Sequence, residues 1–83
     1  MKEEHITIGG IEFTLCEFAI LQQVMKGKAR KEIALARDCS TGTIDAHLRN
    51  IYNKTGIHKI NELMAWGFAN GFDHEGNYNP KNA

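Results

Sequence analysis

Two cysteines, four histidines and equal numbers of acidic and basic side chains are the groups of this 83-residue chain that could carry chemistry. Cys16 and Cys39 have the spacing of neither a zinc site nor a redox pair, and two cysteines are too few for a disulfide framework. They read as free, mostly buried thiols. His5, His47, His58 and His74 are scattered and complete no ligand set. No nucleophile and base pair, carboxylate pair or phosphate loop is evident, and so short a chain has little room for a buried reaction site. These residues therefore imply no metal, no cofactor and no enzyme.

The chemistry that remains is the placement of charge. From Met1 to Val24, Lys2 stands against Glu3, Glu4, Glu12 and Glu17; from Asn61 onward, Lys81 stands against Glu62, Asp73 and Glu75. Between them, Met25 to Ile60 holds Lys26, Lys28, Arg30, Lys31, Arg37, Arg49, Lys54 and Lys59 against only Glu32, Asp38 and Asp45. Both ends are acidic and the middle is basic, although the net charge is zero. Gathered positive charge can neutralise phosphates; a solvated face without a partner is the plainer alternative.

Within that basic middle, Cys39 to Gly56 reads CSTGTIDAHLRNIYNKTG. Ser40 is a good helix N-cap, so a helix should begin at about Thr41 and run to about Lys54, with Gly56 just past its end. Ile44, Leu48 and Ile51 recur at three- and four-residue spacing and make its apolar back. Gly42, Asp45, Ala46, Arg49 and Asn53 make a short, polar front, which suits a DNA major groove about one helix wide.

Other elements must position that helix. Ile6 to Leu15 alternates about Gly9-Gly10 and predicts a β-hairpin over 6–15, which must pack on something to be stable. Thr14-Leu15-Cys16-Glu17 is a capping box that opens a helix with Phe18, Ile20, Leu21, Val24 and Met25 on its core face, stopped by Gly27. A second helix should run from about Ala29 or Arg30 to Arg37 with Ile33 and Ala34 inward, and Leu35 and Ala36 as further candidates. Asp38-Cys39-Ser40 then makes the short turn of a helix-turn-helix. A last helix from about Ile60 to Ala69 carries Leu63, Met64, Trp66, Gly67 and Phe68, broader in apolar surface than one small core requires. Its outer side is a candidate dimer seam.

The chain is long enough for one domain, over residues 1–72, with a core near the lower limit of independent stability. Met1 to His5 and the polar tail from Asp73 to Ala83 are expected to be mobile. No apolar run of about eighteen residues and no charged-then-apolar leader is present, so the expectation is no membrane span and a cytoplasmic location.

The string from Phe13 to Leu63 resembles the LuxR/GerE (FixJ and NarL) family of DNA-binding domains. The family's opening Leu-Thr-x-x-Glu is present as Phe13-Thr14-Leu15-Cys16-Glu17, and its Gly-x-x-x-Lys-Glu-Ile-Ala is intact from Gly27 to Ala34. Its Ser-x-x-Thr-Val-Lys-x-His-x-x-Asn-Ile is matched by Ser40, Thr43, Ile44, Asp45, His47, Asn50 and Ile51, and its close by Lys54, Gly56, Ile57, Glu62 and Leu63. Family members usually carry lysine where this chain has Asp45, arginine at Ile60, and leucine at Arg37 and Thr55. The hairpin lies outside the family's usual pattern.

The resemblance implies a mainly α fold, a four-helix bundle with a helix-turn-helix, here preceded by the hairpin. It implies a small transcriptional regulator that binds double-stranded DNA as a homodimer. Asp45, Ala46 and Arg49 would face base edges; Lys31, Ser40, Thr41, Thr43, Lys54 and Lys59 would hold phosphates. His47 and Asn50 would stabilise the bundle, and the last helix would supply the dimer contact. The alternative reading is an interaction module of the same fold that binds another protein instead of DNA, favoured by Asp45 and the zero net charge.

Overall fold

Ile6, Ile8, Ile11 and Phe13 alternate about two adjacent glycines. In the computed structural model, which describes residues 4–80, they share one face of an antiparallel hairpin, β1 (His5–Ile8) and β2 (Ile11–Thr14). Gly9 and Gly10 both have positive φ, as a tight two-residue turn between right-twisted strands requires. Ile8 and Phe13 are fully buried, so the hairpin contributes directly to the core.

Thr14 is both the last residue of β2 and the N-cap of α1 (Leu15–Met25). Its hydroxyl accepts the Glu17 N–H at 3.1 Å, and Glu17 Oε1 accepts the Thr14 N–H at 2.9 Å. The expected capping box is therefore present, and no linker separates strand from helix.

Three more helices complete the bundle: α2 (Arg30–Ala36), α3 (Thr41–Thr55) and α4 (Ile60–Ala69). Glu32 Oε1 accepts the Ala29 N–H at 2.9 Å and stands in for a side-chain cap at the start of α2. Asp38, at φ 54°, turns the chain between α2 and α3, a left-handed conformation that aspartate tolerates better than most residues. Ser40 caps α3 by accepting the Thr43 N–H at 3.2 Å, and Gly56 ends it in the left-handed conformation. Ile20, Leu21, Ile33, Ile44, Ile51 and Leu63 bring all four helices into one core with the hairpin.

Two expectations are corrected. Leu35 is 76% exposed and Ala36 is also outside, because a seven-residue helix has room for only one inward turn, taken by Ile33 and Ala34. The segment after Phe72 is no loose tail as far as Pro80. Phe72 pairs with Tyr78 in an antiparallel bridge, and both rings pack about Phe18, with centroids 5.9 and 6.0 Å away. Asp73 accepts the N–H groups of Glu75 and Asn77, the latter being the largest cause of a carboxyl pKa below its ordinary value. Of the N-terminal stretch expected to be mobile, His5 begins β1, paired with Thr14, while residues 1–3, like 81–83 at the other end, lie outside the described residues.

Gly76 docks this segment on α1. It is buried at positive φ, and a Cβ there would run into the Gln22 carbonyl oxygen. Gly76→Ala is expected to destabilise the fold by about 1–2 kcal/mol through the left-handed backbone alone, with the clash in addition. Thermal unfolding of the variant measures this; an unchanged midpoint would mean that the segment contributes nothing to the folded state.

Candidate nucleic-acid interface

The back of α3 is fixed by Ile44, Leu48 and Ile51, all buried. Helical spacing then turns Gly42, Ala46, Arg49, Asn50 and Asn53 outward, and each is exposed. Of the three expected base-facing residues, Ala46 and Arg49 stand free on this front, and Arg49 has no ion pair among the described residues. Asp45 is different. Its Oδ1 accepts a hydrogen bond from Arg30 Nη1 at 2.7 Å, across the gap between α2 and α3.

Arg30 and Asp45 stand at the rim of an open groove of about 710 Å³. Val24, Ile33, Leu48 and Tyr52 line it, with Lys28, Arg49 and Ile60 around the same opening. In the sequence Arg30 belongs, with Lys28 and Lys31, to a basic helix start that makes better sense beside a phosphate than alone, but it is not singled out as a site residue. Its place at the basic start of α2 was visible, but nothing in a linear count joins it to a carboxylate fifteen positions later.

The expected phosphate-binding residues divide into three groups. Ser40, Thr41 and Thr43 are exposed at the N-terminal end of α3, where Ser40 Oγ lies 3.1 Å from Thr43 Oγ1. Lys31, in the first turn of α2, and Lys59, before α4, are exposed and carry no ion pair among the described residues. Lys54 is the correction: its Nζ donates to Glu17 Oε1 at 2.7 Å and to the Glu12 carbonyl at 3.1 Å, and sits 5.7 Å from the centre of the Phe13 ring. An ammonium used to tie α3 to the hairpin and α1 is not free for a phosphate. Burial would push the Glu17 carboxyl up, but hydrogen bonds from Lys54 and the Thr14 N–H, with the lysine charge, hold it below its ordinary value.

His47, half-buried, is also engaged within the chain. Its Nε2 lies 3.6 Å from Cys16 Sγ, which Arg37 also approaches at 3.6 Å. This fits a role in the bundle for His47 and accounts for one further base of the central stretch.

Part of the broad apolar surface of α4 is consumed within the chain, which narrows the expected dimer or partner surface to its partly exposed residues. Leu63 is fully buried, and Gly67 is buried against Met25. Trp66 meets Phe13 edge to face at 5.9 Å, and Phe68 lies 4.6 Å from the His74 ring. The hairpin and the folded-back segment thus cover the two flanks of the helix. Of the five residues, Met64, Trp66 and Phe68 retain partial exposure. No helix among the described residues is long and apolar enough to cross a membrane.

Residues 12–66 match the family model described as bacterial regulatory proteins, luxR family. The chain is 44% identical over 48 residues to the Fimbriae Z proteins of Escherichia coli strain K12 and Escherichia coli O157:H7. It is 42% identical over 48 residues to that of Salmonella typhimurium. These matches take in 58% of this chain and only 23% of each relative's length. No solved structure matches the chain significantly.

Proposed function

Because the chain belongs to the luxR family of bacterial regulatory proteins, we propose that it is a DNA-binding transcriptional regulator in which α3 enters the major groove. One observation carries the reading: a capped helix with a buried back and a small, polar front, on which Arg49 is exposed and uncommitted. An arginine in that position is suited to guanine O6 and N7. The exposed Ser40, Thr41, Thr43, Lys31 and Lys59 are suited to phosphates, which fix register without reading sequence. The regulator acts in the cytoplasm as a homodimer, with the partly exposed Met64, Trp66 and Phe68 of α4 as the contact.

A fluorescence-anisotropy titration with random-sequence duplex across a salt series tests the first step. Affinity that falls steeply with salt is expected, because bound cations release counterions from the phosphates. Arg49→Ala should then weaken binding to a selected operator by about 1–3 kcal/mol while leaving the fold intact. Unchanged affinity would mean that the groove face is assigned wrongly. A second reading, a protein-binding module of the same fold, is favoured by the internal pairing of Arg30 and Lys54 with Asp45 and Glu17. Failure of the folded protein to bind any duplex at low salt would select it.

A further inference from the structure

Asp45 is a carboxylate on the face assigned to DNA, and its simplest effect there would be to repel phosphates. The structure suggests a different use for it. Its Oδ1 takes a single hydrogen bond from Arg30 Nη1, and the arginine side chain is 64% exposed. A guanidinium has five N–H donors in a fixed planar fork, so one bond to Asp45 fixes the orientation of Arg30 and leaves donors enough for a second, bidentate partner. An ion pair this exposed contributes little to folding. Its main physical effect is therefore on where the arginine points.

Resting on the reading of α3 as the groove-entering helix, we propose that Arg30 is a DNA phosphate contact and that Asp45 is the positioning residue that holds it for that contact. The pair joins the two helices of the helix-turn-helix. In that arrangement the first helix crosses the sugar-phosphate backbone while the second enters the groove, so a guanidinium at the first residue of α2 is on the helix that meets phosphates. The groove rim around it also carries Lys28 and Arg49. Arginine binds phosphate through two parallel N–H···O bonds. A guanidinium already restrained by Asp45 loses less rotamer freedom when it makes them.

The test is a mutant cycle read by fluorescence anisotropy with a labelled random-sequence duplex, on variants shown by circular dichroism to be folded. Arg30→Ala should weaken binding about tenfold, and Arg30→Lys, which keeps the charge but not the fork, should recover only part of it. Asp45→Ala should weaken binding several-fold in the parent and have no effect in the Arg30→Ala background. Tighter binding by Asp45→Ala in both backgrounds would overturn the proposal, since the carboxylate would then simply repel DNA. So would a double variant that binds as well as the parent, because the loss in Arg30→Ala would come only from exposing Asp45. A parent that binds no duplex would overturn the DNA reading itself, and this proposal with it; a parent that binds and is indifferent to Arg30→Ala would overturn the proposal alone.

Discussion

Replacing Phe13 with alanine is expected to destabilise the protein by about 3–5 kcal/mol, the usual range for a fully buried phenylalanine cut back to its Cβ. The ring is completely buried, meets Trp66 of α4 edge to face, and lies beneath the Lys54 ammonium. Residues of two separate helices, α3 and α4, would face the cavity. A domain of this size has a total stability of only about 4–12 kcal/mol, so the variant should be partly unfolded under mild conditions. Urea denaturation followed by circular dichroism measures the loss. A change below about 1 kcal/mol, outside the range for buried aromatics, would mean that the hairpin is an appendage and not part of the core.

Glu17→Ala is the second large effect, expected at about 2–4 kcal/mol from the lost half of the capping box and the lost charged hydrogen bond to Lys54. Glu17→Gln separates the two, because glutamine can still accept the Thr14 N–H. The acid dependence is specific as well. The folded-state pKa of Glu17 lies below its ordinary value, so its contribution is complete above the ordinary glutamate value of about 4.3. It fades as pH falls from there through the folded pKa. Parent and Glu17→Gln should therefore differ most at neutral pH and converge in acid. A constant difference across that range would show that the carboxylate charge plays no part.

Features that depend on neighbouring residues were legible in the sequence. Thr14 with Glu17, Ser40 before Thr41, Gly56 after α3 and the Gly9-Gly10 turn each need only a few adjacent positions to state their requirement. The apolar spacing of Ile44, Leu48 and Ile51 likewise fixed which side of α3 is buried. What could not be read was the pairing of groups far apart in the chain. A charge count treats Lys54 and Lys59 alike, yet one is bonded to Glu17, thirty-seven positions away, and the other has no ion pair among the described residues. The apolar surface of α4 looks wholly unpartnered in sequence because two of its neighbours, Phe13 and His74, come from segments that look peripheral there. Leu35 shows the opposite limit: seven residues carry too few turns for spacing alone to say which apolar side chains are inward.

The double role of Thr14 has a consequence for chain entropy. A structural flap is ordinarily joined to its domain by a connection whose ends must be brought together, at a cost that rises with length. Here strand and helix meet at one residue, so once α1 has formed, the position and direction of β2 follow from the cap geometry and docking the hairpin on α1 closes no loop. An isolated two-stranded hairpin is marginal in water, but this one starts its search from the place where it ends.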